Sequence, residues 1–184
     1  NSGESYEFAI ADDVYSDIFA SSIKMLYLQR CGSELTKEFA DNFTHEACHM
    51  QTATIYGTNK TLDVSGGWHD AGDFDLRIES QAGETYILSL AYEEFKPEID
   101  ATTIDQINHI TEIHQPDGKN DILQQIEHGA LSVVNGYLSL GRLYRGIICN
   151  SLRQYAMLGD ASAMTDGKIG NDDDRWIFTE DNPY

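Results

Sequence analysis

Apolar residues recur at helical spacing in three stretches of the chain. Over residues 17–30, Phe19, Ile23 and Leu26 stand at i, i+4 and i+7 with Tyr27 beside them, which draws one apolar stripe on a helix. Over residues 77–95, Ile78, Ala82, Ile87, Leu90 and Ala91 form a broader face. The strongest pattern covers residues 120–140: Ile122, Leu123, Ile126, Ala130, Val133, Val134, Tyr137 and Leu138 keep the spacing throughout. Asp117-Gly118-Lys119-Asn120 supplies turn and capping residues before it, and Gly141 a stop after it. Between these helices lie long stretches without a period, residues 41–69 and the Gly- and Asp-rich residues 159–184. Loops of that length inside a compact domain are usually functional or held by a ligand. The pattern predicts an all-α toroid or bundle in preference to a sheet protein.

Composition narrows the partners. At 184 residues, 41% hydrophobic and 23% charged, the chain matches an ordinary globular protein of about one domain. No apolar run is long enough to span a bilayer. A net charge of −19 repels nucleic acid and anionic membrane surfaces and is indifferent to a neutral polysaccharide. Most of the carboxylates read as solvated surface. The first residues, Asn1-Ser2-Gly3-Glu4-Ser5, have neither the basic nor the apolar region of a signal peptide, which suits a mature secreted form and a cytosolic protein equally.

Candidate chemistry is concentrated in residues 63–74. Gly66, Gly67 and Gly72 permit tight turns there, and two carboxylates, Asp70 and Asp73, stand three residues apart between Trp68 and Phe74. If the loop turns, both carboxylates face one point, and aromatic faces beside them suit a pyranose ring. A Gly-rich turn with an Asp capping the next helix accounts for the same residues. A second group is metal-like: Cys31, Cys48, His49 and His69 offer two thiolates and two imidazoles, a tetrahedral set. Their spacings, 48 − 31 = 17, then 1, then 69 − 49 = 20, are not those of a zinc finger. With three cysteines in all, one disulfide plus a free thiol stays open. Neighbouring side chains point apart in a helix or strand, so the chain must turn at Cys48-His49 for both to ligate one ion. Cys149 reads as a buried free thiol in the apolar run Ile147-Ile148-Cys149, and His109, His114 and His128 as surface or satisfied core histidines. His45 belongs to no motif.

The segment Gly66-Gly67-Trp68-His69-Asp70-Ala71-Gly72-Asp73 resembles the Gly-Gly-Trp-x-Asp-Ala-Gly-Asp motif of glycoside hydrolase family 9. Gln29-Arg30-Cys31-Gly32 and Ala47-Cys48-His49 are similar to two further motifs of that family. Residues 121–129 resemble its Asp-(Leu/Ile)-Leu-x-Glu helix, with Gln125 where Glu is usual. Residues 173–179 resemble a loop of the subgroup that carries an N-terminal immunoglobulin-like module. The resemblance implies an (α/α)6 barrel of which this chain is the N-terminal portion, with residues 1–11 ending a preceding module and 12–184 starting the catalytic domain. It implies inverting hydrolysis of β-1,4-glucans by a secreted endoglucanase, with Asp73 as general base, Asp70 holding the attacking water, and Trp68 and Phe74 against the substrate. It also implies structural zinc on Cys31, Cys48, His49 and His69; the clustered carboxylates of Asp172, Asp173 and Asp174 suit calcium, which family 9 enzymes often carry, and read equally as a solvated acidic loop. The family's acid is a Glu near the far end of the domain, and nothing after Asp73 resembles its motif, so a C-terminal remainder is expected to supply it. Alternatives are an exo-acting enzyme of cellobiohydrolase or glucosaminidase type, a non-catalytic glycan-binding fragment, and a zinc-stapled structural module. No nucleic acid or membrane partner is expected.

Overall fold

The computed structural model describes residues 3, 5–50, 52–55, 57–62, 66–69, 76–149 and 175–178. Its helices, among the described residues, are α1 (Ser16–Leu28), the single turn α2 (Lys37–Ala40), α3 (Ile78–Phe95) and α4 (Asp121–Leu140). The three long ones coincide with the periodic stretches. Asn120 caps α4, its side-chain oxygen accepting from the Ile122 and Leu123 amides, and Gly141 ends it at φ 75°, a left-handed conformation glycine adopts without strain. On α1, Ile23 and Tyr27 are buried, and with Leu35, Ile113 and Ile122 they form one of two apolar clusters.

The buried faces of α3 and α4 keep only part of the apolar faces that periodicity predicts: Ile122 is buried, and Ile78 and Ile126 pack against the apolar clusters. On α3 the buried residue is Gln81, while Ile87 is 66% and Leu90 45% exposed. On α4 the buried stripe is Asp121, Ile122, Gln125, Gly129, Ser132 and Gly136, while Leu138 is 71% exposed. The reason is close packing. The two helices lie against each other, with Thr85 of α3 against Gly129 of α4, and Trp68 fills the notch at Gly129, where a Cβ would overlap the Trp68 ring and Thr85 Oγ1.

The all-α expectation is corrected by two sheets. Strands β1 (Ala53–Ile55), β2 (Thr61–Leu62), β3 (Leu76–Arg77), β6 (Gly146–Cys149) and β7 (Arg175–Phe178) form a five-stranded sheet in the order β2-β1-β7-β6-β3. β1 runs parallel to β7 and the other pairs are antiparallel. A separate hairpin joins β4 (Thr102–Asp105) to β5 (Ile110–Ile113), with Thr102 opposite Ile113. Strands of two to four residues are too short to display an alternation against a loop background. The second apolar cluster lies by this sheet: Cys31, Cys48, Ala53, Leu76 and Tyr144, with Ile55, Leu62 and Leu140 packed on it.

Candidate active site and metal centre

The motif segment 66–69 is gripped from two sides. On one side is the chain leaving α1: the Cys31 amide donates to the Gly67 carbonyl at 2.9 Å, and the His69 amide to the Gln29 carbonyl at 2.9 Å. Arg30 and Trp68 thereby form an antiparallel bridge. On the other side are side chains of α3 and α4. Gln81 Oε1 accepts from the Trp68 amide at 2.8 Å, and Gln81 Nε2 donates to the Trp68 carbonyl at 3.0 Å. The Trp68 indole N–H donates to Gln125 Oε1 at 2.8 Å. His128 Nε2 lies 2.8 Å from the Gly67 carbonyl; a carbonyl only accepts, so this nitrogen carries the proton. Burial, reinforced by the Arg30 charge, pushes the His128 pKa down to about 3, so the ring is neutral. Gly67 sits at φ +84°, and a Cβ there would overlap Gln81 Oε1, so the position requires glycine on both counts.

Beside this segment the four metal-like residues converge. One donor atom from each of Cys31, Cys48, His49 and His69 lies within 4.8 Å of every other, and the first three residues are buried. Cys48 Sγ and His69 Nε2 are 3.0 Å apart, and the His49 and His69 rings meet edge to face at 5.2 Å. The turn required between adjacent ligands is present, since His49 has φ 54°. A non-glycine residue there is strained and needs support from its surroundings. The neighbouring Cys31 sulfur holds the Cys48 thiol far below its usual pKa against the opposing effect of burial, with help from His49 and His69. That poises Cys48 as a thiolate, the form that ligates metals. Both cysteines are free thiols, so the disulfide alternative is not realised. Tetrahedral zinc with N and S ligands sets donor atoms ~3.3–3.8 Å apart, a spacing bracketed by the 3.0 Å between Cys48 Sγ and His69 Nε2 and the 4.8 Å that bounds the whole cluster. The residues fit a closed four-ligand metal site. His45 is not a fifth ligand, because its ring nitrogens face the Glu46 and Leu28 carbonyls at 2.8 and 3.2 Å.

Asp70, Asp73 and Phe74 lie outside the described residues, as do Asp172, Asp173 and Asp174 and the side chain of Cys149. Trp68 is corrected from a substrate platform to an interior anchor: it is 0% exposed, its indole N–H is taken by Gln125, and His128 packs edge-on against its ring at 5.4 Å. His109 and His114 are exposed residues of the β4–β5 hairpin region, at φ 56° and 69°. Gln81 was not legible as a site residue, since a lone Gln in a helix normally reads as surface. The only sign of Gln125 was its departure from the usual Glu. A cavity of about 480 Å³ adjoins the segment, lined by Arg30, Gly66, Glu127, His128, Ser132 and Asn135 among others. Its size and mixed polar lining suit a hydroxyl-rich ligand.

Comparison with known proteins agrees with this geometry. Over 90 residues, 48% of this chain, the sequence is 43% identical to a cellodextrinase of Butyrivibrio fibrisolvens. Over 107 residues, 56% of the chain, it is 31% identical to endoglucanase D of Acetivibrio thermocellus. The chain covers only 16% and 17% of the lengths of these two curated relatives. Among solved structures, a Zn-binding triple mutant of the family 9 endoglucanase J30 superposes with a TM-score of 0.63 at 23% identity, covering 95% of this chain and 32% of that one, which shows a shared fold. The model of glycosyl hydrolase family 9 matches residues 15–132, more than half the chain, from α1 through the Cys/His cluster into α4. On that match the chain belongs to glycosyl hydrolase family 9.

Proposed function

We propose that this chain forms the N-terminal part of the catalytic domain of a secreted, inverting endo-β-1,4-glucanase with structural zinc. The observation that carries this reading is the double grip on residues 66–69, because Asp70 follows that segment directly and Asp73 three residues later. A hydrolase needs its base held rigidly where a water can be positioned, and few other functions need a glycine-rich carboxylate loop fixed so thoroughly. Asp73, ionised, takes a proton from a water that attacks the anomeric carbon opposite the leaving oxygen, while Asp70 orients that water. In inverting enzymes the acid lies ~6.5–9.5 Å from the base. Here it is assigned to a Glu on the remainder of an (α/α)6 barrel, packed against α3 and α4. Support for such a covering comes from the exposed Tyr86, Ile87 and Leu90 on α3 and Leu131, Val134 and Leu138 on α4. Residues 1–11 then lead in from a preceding module of immunoglobulin-like type, in keeping with the exposed Tyr6, Phe8 and Ile10.

Zinc on Cys31, Cys48, His49 and His69 supplies a cross-link and no reaction chemistry, since four protein ligands leave no open position. The test is kinetic. In the complete catalytic domain, Asp73→Asn should lower kcat on cello-oligosaccharides by ~10²–10⁴-fold with binding retained. Near-normal turnover in that variant sinks the assignment. A second reading, action on short oligosaccharides in preference to polymer, is favoured by the higher identity to a cellodextrinase. Rapid viscosity loss on a soluble cellulose would exclude it.

A further inference from the structure

The peptide units around Trp68 are bonded more completely than a surface turn requires. In the Gly67–Trp68 peptide, the carbonyl accepts from both the Cys31 amide and His128 Nε2, and the N–H donates to Gln81 Oε1. In the Trp68–His69 peptide, the carbonyl accepts from Gln81 Nε2 and the N–H donates to the Gln29 carbonyl. All four backbone groups are satisfied, and three of the five bonds come from the side chains of Gln81 and His128. Gln81 in effect acts as a neighbouring strand, its amide pairing both ways with one residue of the loop. A metal at His69 holds a side chain and leaves the peptide planes free to rotate. The bonds to the carbonyls and amides remove that freedom.

We infer that Gln81 and His128 are positioning residues for the hydrolysis proposed above: they fix the orientation of the Gly67–Trp68–His69 backbone and so the direction in which the chain delivers Asp70 and Asp73. This inference rests on that functional reading. In this role each acts through the backbone it holds. A misplacement of about 1 Å in a reacting group costs as much as ~10²-fold in rate, so loss of either grip should appear in turnover before it appears in binding.

The experiment compares Gln81→Glu, His128→Leu and His128→Gln with wild type in the complete, metal-loaded catalytic domain. Glu keeps the size of Gln81 and loses the donor to the Trp68 carbonyl. Leu removes the His128 donor, and Gln offers an N–H at the same reach. Four quantities are read: kcat and KM on a cello-oligosaccharide, bound metal per chain, and hydrogen exchange at the Trp68 and His69 amides. Expected for Gln81→Glu and His128→Leu is a ~10–10²-fold fall in kcat, with KM within about twofold, metal retained and both amides exchanging faster. His128→Gln should recover most of the kcat. Unchanged kcat and exchange in the folded variants overturn the inference, and so does an equal loss in His128→Leu and His128→Gln, or a loss that tracks departure of the metal. Should Gln81→Glu fail to fold, the His128 pair decides alone. A wild type without activity on any β-1,4-glucan overturns the functional reading, and amide exchange still reports whether these side chains hold the backbone.

Discussion

Asp121 opens α4 and is 1% exposed, with both carboxyl oxygens 3.2 Å from the Ala101 amide. Burial raises its pKa from 3.8 to about 6; the Ala101 and Thr102 amides oppose the rise, and Asp100 and Asp117 add to it. The folded state therefore holds this proton to a higher pH than the unfolded chain does. Its favourable contribution is complete below the unfolded value of 3.8 and is lost as pH rises through about 6. Asp121→Asn is neutral throughout, so it should gain stability relative to wild type between pH 4 and pH 7. Urea unfolding at the two pH values measures this, and an unchanged difference would refute the assignment. At the same scale, Gly129→Ala pushes a methyl into Trp68 and Thr85. Overpacking of this kind costs ~1–3 kcal/mol, to be read as a lowered melting temperature.

At the scale of elements, the sequence declared its helices through period and caps, with Asn120 and Gly141 marking the ends of α4. It declared the inward side of α1, where Ile23 and Tyr27 are buried, but not that of α3. Period 3.6 identifies a helix, but on α3 the buried residue is Gln81, held by the loop, while Ile78, Leu88 and Tyr92 are only partly buried against the apolar clusters. Of the site, the four metal-like residues were legible because cysteine and histidine are scarce and matched a family pattern. Gln81, Gln125 and the carbonyl partner of His128 were not, because a buried amide is recognisable only once its partner is in place. The cluster joins the α1 exit, residues 48–49 and the motif segment, three pieces well separated along the chain. Chelation should thus lower the melting temperature measurably while helical circular dichroism at 25 °C persists, and Cys48→Ser should do the same without chelator. Equal melting with and without metal would assign the cluster no structural role.

The whole molecule combines a net charge of −19 with large apolar side chains exposed on α3 and α4. Charge keeps such surfaces apart at low salt and screening removes that protection. This chain alone is therefore expected to bind a hydrophobic dye and to associate as salt rises from 20 mM to 500 mM. Co-expression with the proposed remainder should give a 1:1 species that does neither, as light scattering would report. A salt-independent monomer without dye binding would argue against the missing cover. The Gly67 carbonyl, where the chain leaving α1 and the side chain of His128 meet on one oxygen, also implies an order of events in time. Every residue of the proposed metal site precedes residue 70, whereas α4 is complete only at residue 140, 140 − 69 = 71 residues later. At ~5–20 residues per second of synthesis, that interval lasts ~4–14 s. A metal-closed loop can form first and wait, and the helices then dock onto a template already made. A chelator present while the chain is being made should consequently do more harm than the same chelator added to finished protein.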